Sequence, residues 1–306
     1  MELVSVIMPC YNDGAYLKEA LDSLRAQTWV NWELILIDDG SDQPETQEAV
    51  RKIGQYPYVH VLHTNHVGPA GARNAGIRAA RGEYILPLDA DDTIDPIYME
   101  WAAGVLSEQP RVGIVYCKAD FFGERTGPWD LPEYTLRGML QDNIIFVTAM
   151  FRKRDWEAVG GFNLNMQDGM EDYDFWLSLL DHDRMVVQLP AVLFHYRIKP
   201  VSRTTRFQKS TAQIKETYHT IYQNHRTLYE KYREAYDLSM RDTMIDLIER
   251  RGALEGEAGR LNEESARLGA EAARLNGALQ QQLQLNSVPI WKRVVNKYLF
   301  HNRRSI

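Results

Sequence analysis

The amino-acid sequence predicts an α/β fold, in which a mostly parallel central sheet has helices on both faces. Three observations lead to this prediction. Short apolar runs alternate with helical patterns through residues 4–88. Each run is apolar at nearly every position, which is typical of parallel strands that are buried on both faces. After Arg206 the strand patterns end, and helical patterns continue towards the C-terminus.

The predicted elements begin with a strand and then alternate. Strands are expected at residues 4–8, 33–37, 59–62 and 84–88, and helices at 16–26, 45–53 and 71–80. A more mixed part follows, with strands expected at 113–116, 146–151 and 192–196 and a helix at 173–180. No linker rich in Pro, Gly or Ser separates the two parts, so we predict a single domain over residues 1–205. In such sheets, ligands bind beyond the carboxyl ends of the strands.

The composition of this 306-residue chain, 44% hydrophobic and 25% charged, is that of an ordinary folded protein with one large domain and an appendage. Its net charge of −7 argues against nucleic acid as a partner, although a nucleotide-sized ligand is allowed. Two distant cysteines, Cys10 and Cys117, give no support for a disulfide framework. The sequence has neither a signal-peptide pattern nor an apolar run of the roughly 20 residues that span a bilayer. We therefore expect a cytoplasmic protein.

Two clusters of aspartates directly follow predicted strands. Asp38 and Asp39 follow the second strand, and Asp89-Ala90-Asp91-Asp92 follows the strand at 84–88. Taken alone, either cluster is typical of a surface turn that caps a helix. A carboxylate at a strand end can also accept hydrogen bonds from a nucleobase or a ribose. Asp89 and Asp91 project to the same side of an extended chain, so they could share a Mg²⁺ or Mn²⁺ ion that neutralises a diphosphate.

Two further motifs precede or begin predicted helices. Small residues at 68–76 surround Arg73 and would let the backbone approach a ligand closely. Neither Gly-X-Gly-X-X-Gly nor Gly-Lys-Ser/Thr occurs there, which argues against a dinucleotide enzyme or a P-loop ATPase. Glu171 and Asp172 stand at the head of an apolar helix, where acidic residues interact favourably with the helix dipole. A carboxylate partly desolvated beside Trp176 would also be a suitable general base.

Together and in this order, the motifs resemble glycosyltransferase family 2, a group of GT-A fold enzymes that includes bacterial polysaccharide and lipopolysaccharide sugar transferases. The resemblance covers residues 3 to 200. It rests on the segments 4–12, 33–42, 71–76, 89–92, 160–162 and 171–174. It implies a GT-A, Rossmann-like fold and a glycosyltransferase that takes its sugar from a nucleoside diphosphate.

The resemblance also implies roles for individual residues on the donor side. Pro9 and Tyr11 are expected to line the base, Asp39 to recognise its edge, and Arg73 to close on the nucleotide. Asp89 is expected near the ribose. UDP is the favoured nucleotide because it is the most common donor of such enzymes and its N3–H suits a carboxylate, while GDP and dTDP sugars remain open.

For the chemistry, the resemblance implies that Asp91 binds Mn²⁺ or Mg²⁺ and that Asp172 deprotonates a hydroxyl of a glycan or lipid-linked acceptor. The result would be a single displacement with inversion at the anomeric carbon. Glu171 is adjacent, so the alignment could shift by one residue. Many relatives carry a histidine in a string like Tyr-Arg-Val-His, where this chain has Lys199. Lys199 could contact diphosphate oxygens in its place, or the role is missing.

Two other functions are alternatives to sugar transfer. A sugar nucleotidyltransferase on a similar fold would need a lysine-bearing glycine-rich loop near the N-terminus, whereas the first strand here ends in Pro-Cys-Tyr-Asn. A non-catalytic scaffold of a polysaccharide assembly complex would not need the candidate aspartates Asp39, Asp89, Asp91 and Asp172. Donor hydrolysis without acceptor distinguishes a transferase from a scaffold, because a scaffold releases no nucleoside diphosphate.

The C-terminal third is predicted to contain a helical extension at 206–248, a coiled coil at 249–286 and a basic amphipathic helix at 287–306. Leucines recur every seventh residue, and a second set of seam positions follows them: Leu254, Leu261, Leu268 and Leu275, with Ala258, Ser265, Ala272 and Leu279. Self-association is expected, with an amphipathic helix packed on its own domain as the alternative. The last segment has five basic and no acidic residues, which favours peripheral membrane contact through 290–304 over a docked helix.

Overall fold

The computed structural model describes residues 1–200, 210–287, 289–292 and 295. The chain forms two compact units, Met1–Met240 and Arg241–Ile306. Most of the predicted helix at 287–306 lies outside the described residues, so its contact with a membrane stays a prediction. Among the residues that the structure describes, no helix is both long and apolar enough to cross a lipid bilayer.

The first unit is built on one sheet. Its strands are β1 (Val4–Cys10), β2 (Trp32–Asp38), β3 (Val59–His63), β4 (Tyr84–Pro87), β5 (Thr93–Ile94), β6 (Val112–Gly123), β7 (Gly127–Trp129), β8 (Met150–Arg152) and β9 (Met185–Ile198). The helices between them are α1 (Leu17–Arg25), α2 (Pro44–Ile53), α3 (Gly68–Ala79), α4 (Tyr98–Glu108), α5 (Leu136–Met139), α6 (Lys153–Val159) and α7 (Glu171–Asp181). Two more helices follow the sheet: α8 (Thr211–Asn224) and α9 (Arg226–Lys231).

The strands lie in the order β3-β2-β1-β4-β8-β6-β9-β5, and β7 pairs with β6. The first four strands in this order are parallel, and β6 is parallel to β9. The short strand β8 is antiparallel to both of its neighbours and joins the two parallel groups. The predicted α/β architecture is confirmed.

Several strands differ from the sequence prediction. Strand β6 runs well beyond the predicted 113–116, and the short strands β5 and β7 were not predicted. The strand predicted at 146–151 is wrong for its first four residues, because β8 begins only at Met150. The backbone turns just before it, where the Ala149 N–H donates to the Val147 carbonyl at 2.8 Å. In contrast, β9 is far longer than the predicted 192–196, because it pairs with β6 through several register shifts that let polar residues enter the strand.

The core follows from the apolar pattern. Side chains of β1 and β2 are buried at nearly every position, since helices cover both faces of the sheet. Helix α3 packs very closely on this sheet: a Cβ at Gly76 would lie 2.7 Å from Ile37 Cδ1 and 2.9 Å from Ile7 Cγ2. Only glycine fits this contact without a shift of its neighbours. The close packing fixes the position of Arg73 on the same helix.

The second unit consists largely of one helix. Helix α10 (Arg233–Ser287) has 55 residues, which at 1.5 Å per residue corresponds to a length of roughly 80 Å. Residues 248 and 249, where the sequence analysis divides the helical extension from the coiled coil, both lie inside this continuous helix. The leucines from Leu254 to Leu275 are 53–65% exposed.

Candidate functional site

The carboxyl ends of β1, β2 and β4 lie side by side, and the loops that follow them are tied together. The register places Cys10 opposite Asp38. Asn12, which has a positive φ of 59°, accepts hydrogen bonds at Oδ1 from the backbone N–H groups of Asp42 (3.1 Å) and Gln43 (3.2 Å). Its own backbone N–H donates to Ser41 Oγ at 3.1 Å. This strand-end loop cluster is therefore held together by one asparagine.

Asp39 is buried at this edge and organises the entry to α3. Its Oδ1 accepts hydrogen bonds from Thr64 Oγ1 and from the Val67 backbone N–H, both at 2.7 Å. Its Oδ2 accepts from the Gly68 backbone N–H at 2.9 Å. Because α3 begins at Gly68, this distant carboxylate serves as the cap that the adjacent side chain does not provide.

Pro9 and Tyr11 flank the same edge. Pro9 is partly exposed at the end of β1, and Tyr11 is 42% exposed. The Tyr11 ring lies 4.1 Å from the His66 ring, centroid to centroid. The two rings form an open aromatic surface beside Asp39, whose carbonyl oxygen lies 3.3 Å from His66 Nδ1.

Lys199 lies between two carboxylates. Its Nζ is 2.7 Å from Asp91 Oδ2 and 2.6 Å from Asp13 Oδ1. Burial alone would lower the pKa of Lys199. The carboxylates of Asp91 and Asp13 outweigh this effect, so the pKa of Lys199 is above its ordinary value. Lys199 is therefore a protonated cation that links the loop after β1 to the loop after β4.

Asp92 and Arg197 hold the backbone next to Lys199 in place. The backbone N–H of Arg197 donates to Asp92 Oδ1 and its Nε donates to the Asp91 carbonyl, both at 2.8 Å. The guanidinium also pairs with Glu19. Asp92 is 1% exposed, and burial, reinforced by Asp91 and Asp89, raises its pKa well above the ordinary value. These contacts fix the end of β9 and so determine where Lys199 lies.

Arg73 forms a buried bridge between two acidic segments. Its side chain is 3% exposed, and its two terminal nitrogens lie 2.6 Å from Asp89 Oδ1 and 2.6 Å from Glu171 Oε1. Burial alone would lower the pKa of Arg73, but the carboxylates of Asp89 and Glu171 raise it instead. A single guanidinium thus joins the loop after β4 to the start of α7.

Asn74, the next residue on α3, binds the loop that precedes α7. Its Oδ1 accepts from the Phe162 backbone N–H at 2.9 Å and from Trp156 Nε1 at 3.1 Å, while its Nδ2 donates to the Phe162 carbonyl at 2.7 Å. Gly161 has φ +88°, and a Cβ there would lie 2.7 Å from Asn74 Oδ1. The Gly-Gly-Phe motif at 160–162 therefore binds the side-chain amide of Asn74, and Gly161 leaves room for it.

Asp172 is partly buried in the first turn of α7. Burial, together with the charge of Glu171, raises the pKa of Asp172 to about 6, although Arg73 acts in the opposite direction. Trp176, one helical turn further on, is fully buried and donates from Nε1 to the Ile145 carbonyl at 3.1 Å. A carboxyl with this pKa can accept a proton near neutral pH.

Comparison with known proteins identifies the family. A model described as glycosyl transferase family 2 matches residues 5–165. The chain belongs to this family. The matched segment includes Asp39, Arg73, Asp89 and Asp91 and ends before Asp172 and Lys199. The resemblance stated from the motifs is confirmed.

Similar glycosyltransferases agree with this assignment. The chain is 30% identical over 230 residues to an uncharacterized glycosyltransferase of Haemophilus influenzae, covering 71% of this chain and 77% of that protein. It is 30% identical over 186 residues to a chondroitin synthase of Pasteurella multocida, covering 58% of this chain and 19% of that protein. The crystal structure of S. aureus TarS 1-349 in complex with UDP has 25% identity and a TM-score of 0.55, covering 65% of this chain and 61% of that one.

These comparisons confirm the GT-A type of α/β fold. They also show that this family 2 chain spans only part of several relatives, including 23% of a Sinorhizobium fredii protein that is 34% identical over 208 residues.

The structure brings the predicted residues of this glycosyltransferase family member into two connected groups. Asp91 and Lys199 are in direct contact, and Arg73 joins Asp89 to Glu171, the neighbour of Asp172. Trp176 lies in the core, so its predicted role stays that of a supporting residue. Within the described residues, no cluster of three or more His, Cys, Asp or Glu side chains forms a ready metal site.

Sequence analysis missed several residues of this family 2 site. Asn12, Asp92 and Asn74 belong to the quoted motifs but were given no role of their own, and Asp13 lies one residue beyond the first motif. Asn74 and Asn12 could have been suspected, because an asparagine after a strand or inside a glycine-rich helix is well suited to bind backbone groups. Asp13 had no sequence signal, because its partner Lys199 lies 186 residues away.

Proposed function

We propose that this family 2 protein is an inverting glycosyltransferase that moves a sugar from a nucleoside diphosphate donor, with UDP favoured, to a hydroxyl of a glycan or lipid-linked acceptor. The observation that carries the proposal is the Arg73 bridge. It joins Asp89, on the expected donor side, to Glu171, whose neighbour Asp172 is the expected base. The two halves of a transfer reaction would thus be held in one arrangement.

The donor side is supported by the loops after β1, β2 and β4. Tyr11 offers an exposed aromatic face to a base, and Asp39 lies at the same edge of the sheet with hydrogen bonds that fix its orientation. A carboxylate oxygen has two lone pairs, so Asp39 can accept a further bond from a uracil N3–H. TarS, similar in fold and 25% identical, was solved with UDP, which supports UDP as the nucleotide.

A divalent cation is the expected cofactor, and the donor atoms present fit one. Mg²⁺ and Mn²⁺ prefer oxygen ligands, and Mg²⁺ usually takes only one or two carboxylates together with substrate phosphates. Asp91, with Asp89 beside it, would supply those carboxylates. Such an ion, when bound, neutralises the diphosphate and stabilises it as a leaving group. The ammonium of Lys199 already occupies the side of Asp91 that faces Asp13.

Lys199 is proposed to serve the diphosphate as well. It is a protonated donor with three N–H groups, of which the contacts with Asp91 and Asp13 use two. Its remaining N–H can bind an oxygen of the departing nucleoside diphosphate. The role that a histidine has in many relatives would then belong to this lysine.

The transfer itself needs one proton acceptor. Asp172 would take the proton from the acceptor hydroxyl while that oxygen attacks the anomeric carbon. The bond from that carbon to the diphosphate oxygen breaks, and the nucleoside diphosphate leaves with the electron pair. Glu171 is a poorer candidate because it is buried against Arg73, which supports Asp172 as the base.

The acceptor is the least constrained part of the proposal. The chondroitin synthase relative supports a polysaccharide product. A lipid-linked acceptor would follow if the basic segment at 290–304 binds membranes, and that segment also supports a protein that works at the inner face of the cell membrane.

The test is the Asp172→Asn variant, which keeps the size of the side chain but removes its basicity. We expect transfer to fall by at least about a hundredfold, since general base catalysis contributes about 10²- to 10⁴-fold. Binding of UDP in the presence of Mn²⁺, followed by thermal shift, should stay near the wild-type value. Transfer at a near wild-type rate would overturn the assignment of the base. If no nucleoside diphosphate or its sugar raises the melting temperature of the wild-type protein, the scaffold function is favoured.

A further inference from the structure

Helix α10 carries an apolar stripe along one face. From Leu254 to Leu279, the positions a and d of a heptad repeat are all apolar or small. We call this set the seam: Leu254, Ala258, Leu261, Ser265, Leu268, Ala272, Leu275 and Leu279. Arg251 occupies the preceding seam position and ends the apolar run on that side. The leucines of the seam are 53–65% exposed.

The glycines of α10 all avoid the seam. Gly252, Gly256, Gly259, Gly269 and Gly277 fall at heptad positions b, f, b, e and f. A Cβ at any of them would meet nothing within 4 Å. Glycine costs helix stability, so an isolated helix with five of them gains little from intrinsic propensity. The seam is an apolar face against which a partner could pack and so stabilise the helix.

Charge decides the direction in which two such helices would pair. Position g is acidic in three successive heptads, at Glu257, Glu264 and Glu271, and position e opposite the seam is Asn262, Gly269 and Asn276. In a parallel pair, each g residue faces the e residue of the next heptad in the partner helix. Each of these three glutamates then faces a neutral residue.

An antiparallel pair would be different. Position g then faces position g. When the two seams overlap fully, Leu254 lies opposite Leu279 and Ala258 opposite Leu275, so Glu264 of each helix would meet Glu271 of the other. Like charges at such close range are destabilising. Glu264 has a cation, Arg267, 3.7 Å away on the same helix, at a position further from the seam.

We infer that a second copy of this chain covers the seam, so that residues 254–279 form a parallel, in-register, two-stranded coiled coil. Two strands follow from the size of the a residues. Ala258, Ser265 and Ala272 let two helices approach closely, whereas a bundle of three or four helices would leave voids at these positions. The inference concerns the second unit and does not depend on sugar transfer.

The first arm of the test measures the mass of the full chain in solution by light scattering after size-exclusion chromatography. We expect twice the chain mass of 35.4 kDa. The double variant Leu261→Glu/Leu268→Glu should be a monomer. The matched control Ala266→Glu/Ala270→Glu adds the same charges at positions b and f and should remain a dimer.

The second arm measures direction by disulfide formation under mild oxidation. In a parallel pair, Ala258→Cys should cross-link to its own copy, because identical a positions lie close together. Glu263→Cys, at the outward position f, is the control and should not. The native Cys10 and Cys117 are buried and are present in every variant.

Several results would overturn the inference. A monomeric, trimeric or tetrameric wild-type mass excludes the dimer. A dimer that survives the two leucine replacements, or that both double variants abolish equally, does not use the seam. If Ala258→Cys fails to cross-link alone but does so when mixed with Leu275→Cys, the helices are antiparallel.

Discussion

Replacing Arg73 by methionine should destabilise the first unit far more than the same replacement at Arg51. Both arginines pair with a glutamate at short range: Arg73 with Glu171 at 2.6 Å and Arg51 with Glu48 at 2.8 Å. The pairs differ in burial. The side chains of Arg73 and Glu171 are 3% and 4% exposed, whereas those of Arg51 and Glu48 are 63% and 45% exposed. The comparison therefore sets a buried ion pair against an exposed one.

The expected magnitudes follow from this difference. Removing one partner of a buried ion pair costs about 3–5 kcal/mol, because the remaining charge stays in a poorly solvated site. An exposed pair contributes about 0–1 kcal/mol. Arg73 also pairs with Asp89, which adds to its effect. For a domain of this size each kcal/mol lowers the melting temperature by about 2–4 °C, so Arg73→Met should lower it by roughly 6–20 °C.

Urea unfolding followed by tryptophan fluorescence is the assay. Six of the seven tryptophans precede residue 200, so the signal reports the first unit. A second variant, Arg73→Met/Glu171→Leu, removes both charges and should recover part of the lost stability. If Arg73→Met and Arg51→Met lower the free energy of unfolding by amounts within about 1 kcal/mol of each other, the buried bridge is not what holds these segments together.

Four further predictions concern protonation, charge and packing. Because burial raises the pKa of Asp172 to about 6, the proposed base is ionised only above that pH; kcat/KM should rise tenfold per pH unit below about 6 and level off above it, and a flat profile would contradict the assignment. The same raised pKa means that ionised Asp172 lowers the free energy of unfolding at pH 7, and this effect disappears as the pH falls below the pKa that Asp172 has in the unfolded chain. Asp172→Asn should therefore be at least as stable as wild type at pH 7 in urea unfolding. Lys199→Met removes a cation 2.7 Å from Asp91 Oδ2, so Mn²⁺ should bind at least about tenfold more tightly in a calorimetric titration, and unchanged or weaker binding would exclude Asp91 as its ligand. Gly76→Ala should cost about 1–3 kcal/mol of stability because its Cβ meets two buried isoleucines, whereas Gly104→Ala, with open space in the middle of α4, should gain about 0.5–1 kcal/mol; equal effects would contradict the close packing of α3.

The sheet could be predicted from the sequence wherever strands are buried on both faces. Strands β1, β2 and β4 have apolar residues at nearly every position, and turn residues mark their ends. The length of strand β9 could not be predicted in this way, because Gln188, Pro190 and His195 interrupt its apolar pattern and its pairing with β6 shifts register. Residues 146–149 were wrongly predicted as strand for the opposite reason, since they are largely apolar and buried without being a strand.

The candidate site was predictable in its positions but not in its contacts. Asp39, Asp89 and Asp91 follow strands, so their place at the sheet edge follows from the alternation of elements. The sequence pattern did not indicate that Arg73 would bridge Asp89 to Glu171, because that contact joins residues 98 positions apart. Such pairing depends on how α7 docks, which local patterns do not encode.

These long-range contacts have a consequence for the order in which the protein folds. Arg73 pairs with Glu171, 98 residues later in the chain, and Asp13 pairs with Lys199, 186 residues later. Contacts between segments so distant in the chain form slowly, because a long loop must close first. During synthesis the four parallel strands are complete well before Lys199 leaves the ribosome. The contact between Lys199 and Asp91 can therefore form only after the end of β9 has docked, so this contact marks the point at which folding of the whole sheet is finished.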